Sequence, residues 1–462
     1  MSAAPRSASR IPRPFRVVIA GGGVAAIEAA LALRDLAAER VALTIATPAD
    51  EFVYRPLAVM RPFQARPSYR LELDGIARDL DATRVRAAAT SVDPDRRQLV
   101  LSSGEVLGYD ALLIAIGARA EAVLAGGTLT PWDWGEGHAF RSLLAAVGRR
   151  EARRIVFIVP AGLTWPLPLY ELALLTSAHL RDQSIGGASL TIITPERVPL
   201  EDFGAEASAA VAALLHDREI VLQTGQETDA VESGVVRMSR GRSIPADAAV
   251  ALPVIQAQPL PGIAPNAAGF IDIDVYCRAV GSADVFAAGD CTNLPLKQGG
   301  IAAQQADVAA GIAALAGAPV VPTPLRPKLE AVLLTGETPL HLDESGARPI
   351  LDTDDEIVRE RREKIAGPQH DLLVGSVGRR RPVQPRKEPG ADGQGQDEGH
   401  RAPLGLLRHQ RPVQALPSGQ GSGDHGDGGS RSHRQESRSA SWSGTGTRSS
   451  PVPSTRCSAP RA

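Results

Sequence analysis

The sequence is poor in cysteine and lacks long apolar runs. Its 462 residues include three cysteines, Cys277, Cys291 and Cys457, with no C-x-x-C pair among them. This odd, scattered set excludes a disulfide framework and disfavours a structural zinc site, so we predict no metal site. No stretch reaches about 18 apolar residues, and the run VVIA behind the N-terminal arginines is too short for a signal-peptide core. We therefore predict a cytoplasmic protein without a transmembrane helix.

The chain also lacks a strong net charge. Its 50 Lys+Arg against 52 Asp+Glu give −2, which argues against nucleic-acid binding. The average conceals two unlike parts, because residues 1–370 carry 36 basic and 44 acidic side chains, whereas residues 371–462 carry 14 and 8. The second part has one aromatic residue and is rich in Gly, Ser, Pro, Gln and Arg. We predict that residues 367–462 form a low-complexity tail, either disordered or translated out of frame.

Two stretches of the chain alternate strand, turn, helix and strand. The first covers 16–46, as RVVIA, GGGVAA, IEAALALRDLAAER and VALTIA. The second covers 153–195, as RRIVFIVP, AGLTWPLP, LYELALLTSAHLRD and, after a turn, ASLTIITP. Their β-branched and apolar strand segments are typical of buried parallel strands. The chain returns to strands after Gly269 and then to an Ala-rich helix near 300–315, which predicts an α/β protein whose first unit resumes after the second.

A glycine-rich turn between the first strand and helix carries the pattern Gly21-x-Gly23-x-x-Ala26. The first glycine permits a tight turn, the second lets the backbone approach a pyrophosphate, and the small third residue lets the helix pack on the strand. Free N–H groups at the helix start would bind the phosphates. An acidic residue that binds ribose usually ends the next strand, but Thr47 stands there, with Asp50 and Glu51 downstream. The alternative is a tight turn that binds nothing.

Two further segments have the character of buried strands that end at a ligand site. They are YDALLIAIGA at 109–118 and DVFAAGD at 284–290, and either alone is equally consistent with a plain core strand. Together with the glycine turn they resemble the pyridine nucleotide-disulfide oxidoreductase superfamily of flavoproteins. The resemblance covers about residues 14–345 and is closest to sulfide:quinone oxidoreductases, flavocytochrome c sulfide dehydrogenases and type II NADH:quinone oxidoreductases. The other segments that carry it are EFVYRPL (51–57), TSVDPD (90–95), LTIITPE (190–196), GFIDID (269–274) and KQGGIAAQQAD (297–307).

This resemblance implies an FAD cofactor and assigns residues to its parts. The pyrophosphate would lie on the glycine turn, the adenosine near the end of the second strand, and the flavin ring between EFVYRPL and KQGGIAAQQAD. No catalytic residue is assigned. The implied cofactor-binding residues are Gly21, Gly22, Gly23, Ala26, Thr47, Arg55, Pro56, Gly117, Gly289, Asp290, Gly300 and Ile301.

The resemblance also implies two Rossmann-like dinucleotide-binding domains. The FAD-binding domain would be discontinuous, and a second, degenerate NAD(P)-type domain would lie between its parts. The predicted bounds are 14–120 and 262–320 for the FAD-binding domain, 150–258 for the second domain and 321–366 for a C-terminal region.

The segment PAGLTWPLPLYE at 160–171 departs from the nicotinamide-binding pattern. It offers only Gly162, and Pro166 and Pro168 have no N–H to donate to a phosphate. Glu171 either matches a glutamate of the type II NADH enzymes or is a solvated carboxylate in the first turn of a helix. NAD(P)H is therefore a weaker prediction than FAD.

The sulfide and quinone sites are also incomplete. Sulfide oxidation in the similar enzymes uses a cysteine pair, but no cysteine precedes Cys277. Cys291 is either a reactive thiol or a small buried side chain. In the similar quinone-reducing enzymes, one glutamine begins the long helix that faces the flavin and another follows it. In this sequence Gly300 occupies the first of these places and Gln304 the second.

These observations predict an FAD-dependent oxidoreductase that passes electrons from NAD(P)H or a sulfur compound through the flavin to a quinone-like acceptor. The alternatives are an NAD(P)H-dependent reductase of a small redox protein and a non-catalytic flavin-binding protein. The resemblance allows a homodimer and peripheral contact with the inner face of the cell membrane. No nucleic-acid partner is predicted.

Overall fold

The computed structural model describes residues 13–63, 70–124, 126, 129–131 and 137–350. The charged segment 354–365, which the sequence predicts to be a surface helix, and the predicted tail 367–462 lie outside these residues. Within the described part, no helix is both long and apolar enough to cross a membrane.

Helices in the described ranges cluster behind the glycine turn, in the middle of the chain and near residue 300. Short 3₁₀ turns occur at Ala38–Arg40, Arg55–Met60, Glu201–Phe203 and Ser239–Gly241. The α-helices are α1 (Val24–Ala37), α2 (Leu73–Asp79), α3 (His138–Gly148), α4 (Leu167–Asp182), α5 (Ala205–Asp217), α6 (Gly299–Gln305) and α7 (Val308–Leu315).

Strands account for most of the remaining regular structure. In chain order they are β1 (Phe15–Ala20), β2 (Val41–Ala46), β3 (Glu51–Val53), β4 (Arg70–Glu72), β5 (Thr83–Val85), β6 (Ala89–Asp93), β7 (Gln98–Leu101), β8 (Val106–Gly108), β9 (Ala111–Ile114), β10 (Arg119–Glu121), β11 (Leu129–Pro131), β12 (Arg154–Ile158), β13 (Ser189–Ile193), β14 (Ile220–Gln223), β15 (Thr228–Glu232), β16 (Val235–Met238), β17 (Ser243–Pro245), β18 (Ala248–Ala251), β19 (Val254–Gln256), β20 (Val285–Ala287), β21 (Ala331–Leu333), β22 (Leu340–Asp343) and β23 (Gly346–Pro349).

The first large sheet has the order β20-β9-β1-β2-β5, and all its neighbouring strands are parallel. Every residue of β9 is buried, as expected for a parallel strand covered on both faces. Helix α1 packs on the sheet through small residues such as Ala26 and Ala30, which allow close approach. Strand β20 joins β9 from a point some 170 residues later in the chain, so the first sheet is built from two separate parts of the sequence.

The second large sheet has the order β11-β18-β12-β13-β14 and is also parallel throughout. Its strands β18-β12-β13-β14 repeat the order β9-β1-β2-β5 of the first sheet, whereas its outermost strand, β11, precedes the others in the chain. The central strands of the two sheets, β1 and β12, also begin with the same kind of arginine–aspartate interaction. In the first sheet Asp110 N donates to Arg16 O at 2.9 Å, and in the second Asp247 N donates to Arg154 O at 2.9 Å. In both pairs the aspartate carboxylate accepts from the arginine guanidinium. The two sheets confirm the predicted α/β class with two Rossmann-like units.

The C-terminal part of the described chain packs against α4. Strands β21, β22 and β23 form an antiparallel sheet, whose apolar residues share one core with α4 and the second large sheet. Helix α4 is buried around nearly its whole circumference, which explains why its apolar residues show no one-sided pattern. The domain bounds stated above stay a prediction.

The Ala-rich helix predicted near 300–315 is interrupted. Helix α6 ends at Gln305 and α7 begins at Val308. Between them the hydrogen bonds reach back three residues, for example from Ala309 N to Ala306 O at 3.0 Å and from Ala310 N to Asp307 O at 3.0 Å. This tightened turn separates two short helices that the uniform composition of the segment conceals.

Candidate functional site

The glycine turn lies at the carboxyl end of β1, where the first sheet changes direction of winding. Gly21 has φ +139°, and a Cβ built there would lie 2.0 Å from Ala115 O, so only glycine is accommodated. A Cβ on Gly23 would meet nothing within 4 Å, and α1 begins one residue later without an acidic side chain in its first turn. The turn therefore presents open space and free N–H groups to a ligand.

Thr47 directly follows β2 and contacts this turn. A Cβ on Gly22 would lie 2.9 Å from Thr47 Cγ2, so the two residues are adjacent. The two acidic residues downstream, Asp50 and Glu51, form ion pairs with arginines instead. Asp50 pairs with Arg86 at 3.1 Å and Glu51 with Arg70 at 2.9 Å. Of the three candidates for the ribose, only Thr47 lies against the turn.

A second group of predicted residues lies at the carboxyl ends of β9 and β20. Gly117, just beyond β9, has φ +70° with open space in the direction of a Cβ, and Gly289, just beyond β20, has φ +82°. Asp290 is partly exposed and makes no side-chain hydrogen bond to another described residue. Burial raises the pKa of its carboxyl, while the nearby positive charges of Lys297 and Arg55 oppose that rise. The structure thus places Arg55 near Asp290.

The remaining predicted residues lie on the 3₁₀ turn at 55–60 and at the start of α6. Pro56 is the second residue of its turn. Gly300 and Ile301 are buried in the first turn of α6, where Ile301 N donates to Gln298 Oε1 at 3.0 Å. The N–H of Ile301 is therefore already used by the helix cap. Lys297 precedes the helix and lies 3.8 Å above the Phe270 ring.

These residues fit FAD. The strand ends β1, β2, β9 and β20 place the glycine turn, Thr47, Gly117 and Asp290 along one edge of one parallel sheet, where ligands of such sheets bind. The open space at Gly23 and Gly117 provides room for the cofactor, and the unpartnered Asp290 carboxylate can accept hydroxyl hydrogen bonds. The resemblance also implies that Lys297 and Gln298, in KQGGIAAQQAD, lie beside the flavin, but it assigns no role to Gln305, whose Oε1 accepts from Gly289 N at 2.8 Å.

The corresponding edge of the second sheet is filled by the chain itself. Helix α4 starts at Leu167, eight residues beyond Val159, and prolines precede and enter its first turn. Tyr170 Oη donates to Glu196 Oε2 at 2.7 Å, and Thr194 Oγ1 donates to the same oxygen at 2.7 Å. Tyr170 is fully buried. This edge does not form a conventional pyrophosphate and ribose site, so the residues present do not fit a nicotinamide nucleotide there.

Glu171 lies in the interior rather than on the surface. Its side chain is fully buried, and Leu334 N donates to Glu171 Oε1 at 3.0 Å. The interpretation as a solvated carboxylate is wrong, because the segment after β21 covers the start of α4. Glu171 instead ties α4 to the C-terminal sheet.

Neither described cysteine has the properties of a reactive thiol. Cys277 and Cys291 are buried, and burial raises the pKa of each thiol to about 12. Cys291 Sγ lies 3.3 Å from Ala288 O and donates to it. Cys457 lies outside the described residues. The described part of the chain also holds no cluster of His, Cys, Asp and Glu that could bind a metal ion.

Gln304 is likewise engaged. Its Nε2 donates to Lys328 O at 2.9 Å, and its Oε1 accepts from Lys328 N at 2.8 Å. Both ends of the amide are therefore used by backbone groups, and it is not free to contact a quinone.

Comparison with known proteins identifies the family. Residues 15–311 match the family described as pyridine nucleotide-disulphide oxidoreductase. The chain belongs to this family. Its members bind FAD and NAD(P)H, and the protein is an FAD-dependent oxidoreductase.

The similarity of this chain to individual proteins is lower, at 20–26% sequence identity for the three described here. The NADH dehydrogenase-like protein MT1860 of Mycobacterium tuberculosis is 26% identical over 292 residues, which cover 60% of this chain and 72% of the relative. The sulfide:quinone oxidoreductase of Aquifex aeolicus has a TM-score of 0.66 at 21% identity, with 78% of this chain and 95% of that chain covered. The putidaredoxin reductase of a covalent complex with putidaredoxin has a TM-score of 0.53 at 20% identity, with 71% and 80% covered. These structural similarities establish the shared fold.

Proposed function

We propose that the protein passes electrons from a small donor through FAD, bound at the edge of the first sheet, to a quinone-like acceptor. The observation that supports this proposal is the joint placement of the glycine turn, Thr47, Gly117 and Asp290 at one sheet edge. The fold shared with a sulfide:quinone oxidoreductase supports a quinone-like acceptor. The predicted domain bounds, a homodimer and peripheral membrane contact belong to the same proposal.

When bound, FAD supplies the redox chemistry, and the chain supplies binding, orientation and charge. The N–H groups of the glycine turn and α1 would hold the pyrophosphate, and the neutral hydroxyl of Thr47 would take the place of the carboxylate that usually binds the ribose. Asp290 would accept hydrogen bonds from the ribityl chain. Burial raises the pKa of the Asp290 carboxyl, and the positive charges of Lys297 and Arg55 oppose that rise.

The structure disfavours two routes for electrons to reach the flavin. The filled edge of the second sheet disfavours a nicotinamide nucleotide held there, and the buried thiols disfavour a cysteine nucleophile. A donor that reacts directly at the flavin ring is consistent with both observations. A sulfur compound small enough to approach the ring belongs to this class.

Anaerobic titration of the purified protein tests the proposal. We expect extractable FAD, bleaching by sulfide, weak or no bleaching by NADH and NADPH, and reoxidation by a short-chain quinone. C291S should leave the sulfide reaction unchanged because the thiol is buried, with C277S as the matched control. A colourless protein without extractable FAD would contradict the proposal, and loss of sulfide bleaching in C291S alone would refute direct reaction at the ring.

A further inference from the structure

Three glutamines on and beside α6 each use both ends of the side-chain amide. Gln298 accepts from Ile301 N at 3.0 Å and donates to Glu330 O at 2.9 Å. Gln304 binds the backbone of Lys328 at both ends. Both of these side chains tie α6 to the segment before β21. Gln305 instead points to the other side of α6, toward the residues that follow β20.

Gln305 connects to the turn at residues 289–292. Gly289 N donates to Gln305 Oε1 at 2.8 Å, and Gln305 Nε2 donates to Thr292 Oγ1 at 3.0 Å. Thr292 Oγ1 in turn donates to Gly289 O at 2.9 Å. Gln305 and Thr292 are each 1% exposed. We call this closed set of three hydrogen bonds among Gly289, Thr292 and Gln305 the glutamine bracket.

Asp290 lies between Gly289 and Thr292 in the chain, but its carboxylate makes no hydrogen bond to the bracket. Asp290 makes no side-chain hydrogen bond to another described residue, so its direction depends on the backbone of the turn. That backbone is constrained, because Gly289 has φ +82° and its Cβ position lies 3.3 Å from Ala25 Cβ on α1. A small rotation of the turn would move Asp290 relative to the glycine turn that precedes α1.

We propose that Gln305 is a positioning residue that holds the 289–292 turn, and with it Asp290, in the conformation that binds FAD. This inference rests on the proposed FAD site. Gln305 acts through Gly289 and Thr292 and does not touch the cofactor. Without it, the part-buried Gly289 N loses its side-chain acceptor and Thr292 Oγ1 loses the donor from Gln305, and the turn samples conformations in which Asp290 is misdirected. FAD then binds only the fraction of molecules with the correct turn, which lowers its apparent affinity.

The test compares Q305M with Q304M. Both variants remove two hydrogen bonds from adjacent residues of one helix, but only Q305M opens the bracket. FAD affinity is measured by fluorescence titration of the apoprotein, the cofactor environment by visible circular dichroism of the bound flavin, and stability by the Tm of the apoprotein. We expect Q305M to weaken FAD binding about tenfold or more and to change the flavin dichroism. Q304M should retain wild-type affinity and dichroism.

T292V provides a second probe that keeps the side-chain volume. It should weaken FAD binding in the same direction, and the effects of T292V and Q305M should not add, because both open the same bracket. Equal losses of affinity in Q304M and Q305M, in proportion to Tm, would show a merely structural role and overturn the inference. Wild-type affinity in both Q305M and T292V would also overturn it. A wild-type protein that binds no FAD would instead refute the proposed function.

Discussion

Four neighbouring strands follow the same order in the two large sheets, β9-β1-β2-β5 in the first and β18-β12-β13-β14 in the second, and the sheets differ beyond the carboxyl ends of these strands. Their central strands, β1 and β12, begin with matching arginine–aspartate pairs, Arg16–Asp110 and Arg154–Asp247. At the other end, the first sheet continues into a tight glycine turn and the second into a longer proline-rich loop. The shared features build the sheet, whereas the few residues beyond the strand ends decide whether it can hold a dinucleotide.

The correspondence extends to single residues beyond β2 and β13. Thr47 and Thr194 occupy the same place, and each hydroxyl accepts from the N–H two residues on, at 3.4 and 3.2 Å. The residue that donates this N–H is Ala49 in the first sheet and Glu196 in the second. The second sheet therefore retains a carboxylate near the usual ribose position, but Tyr170 binds it. An acidic residue at a strand end is informative only when its hydrogen-bonding capacity is free.

The largest expected difference between the sheets concerns their glycines. G21A places a Cβ 2.0 Å from Ala115 O at φ +139°, so we expect loss of FAD binding and about 3 kcal/mol lower free energy of unfolding. G162A is the matched control, because Gly162 has φ +78° and open space around its Cβ position. It should cost about 1 kcal/mol and leave FAD bound. FAD retention by extraction and urea unfolding measure both effects, and equal losses would refute the assignment of the FAD site.

A smaller effect is expected at the filled edge of the second sheet. Y170F removes the donor to Glu196 and leaves Thr194 as its remaining side-chain partner. We expect the free energy of unfolding to fall by about 1.5 kcal/mol, with no gain of NADH binding, because the prolines of the loop remain. Y276F, which alters a half-buried tyrosine away from this edge, is the control. Saturable NADH binding by Y170F, measured by calorimetry, would show that Tyr170 alone closes this edge.

The smallest effect concerns the arginine–aspartate pair of the first sheet. Hydrogen bonds from Arg16 hold the pKa of Asp110 at about 2, below its ordinary value of 3.8. A depressed pKa means that the carboxylate stabilises the fold above pH 4 and loses this contribution as the pH falls toward 2. D110N should therefore lower stability at pH 7 by less than about 1 kcal/mol, because Arg16 is partly exposed. The loss should shrink in urea unfolding near pH 3, and a loss independent of pH would contradict this origin.

The sequence predicted the α/β class, the glycine turn and the placement of Thr47, Gly117 and Asp290 at strand ends, because these depend on local patterns. It could not predict the bond from Tyr170 to Glu196 or the bracket around Gln305, since those partners meet only through tertiary packing. The burial of Glu171 was missed for the same reason: β21 and the residues after it cover it from far along the chain. The break between α6 and α7 was hidden by a uniform run of small residues.

The late arrival of β20 has a consequence for folding during synthesis. Strand β9 is complete at Ile114, but its outer neighbour begins at Val285. At about 5–20 residues per second, the ribosome needs roughly 10 to 30 seconds to make the intervening chain. All strands of the second sheet lie within that interval, so we expect it to assemble first on the nascent chain. Meanwhile the apolar β9 has an unpaired edge, a site of self-association that the emergence of β20 removes.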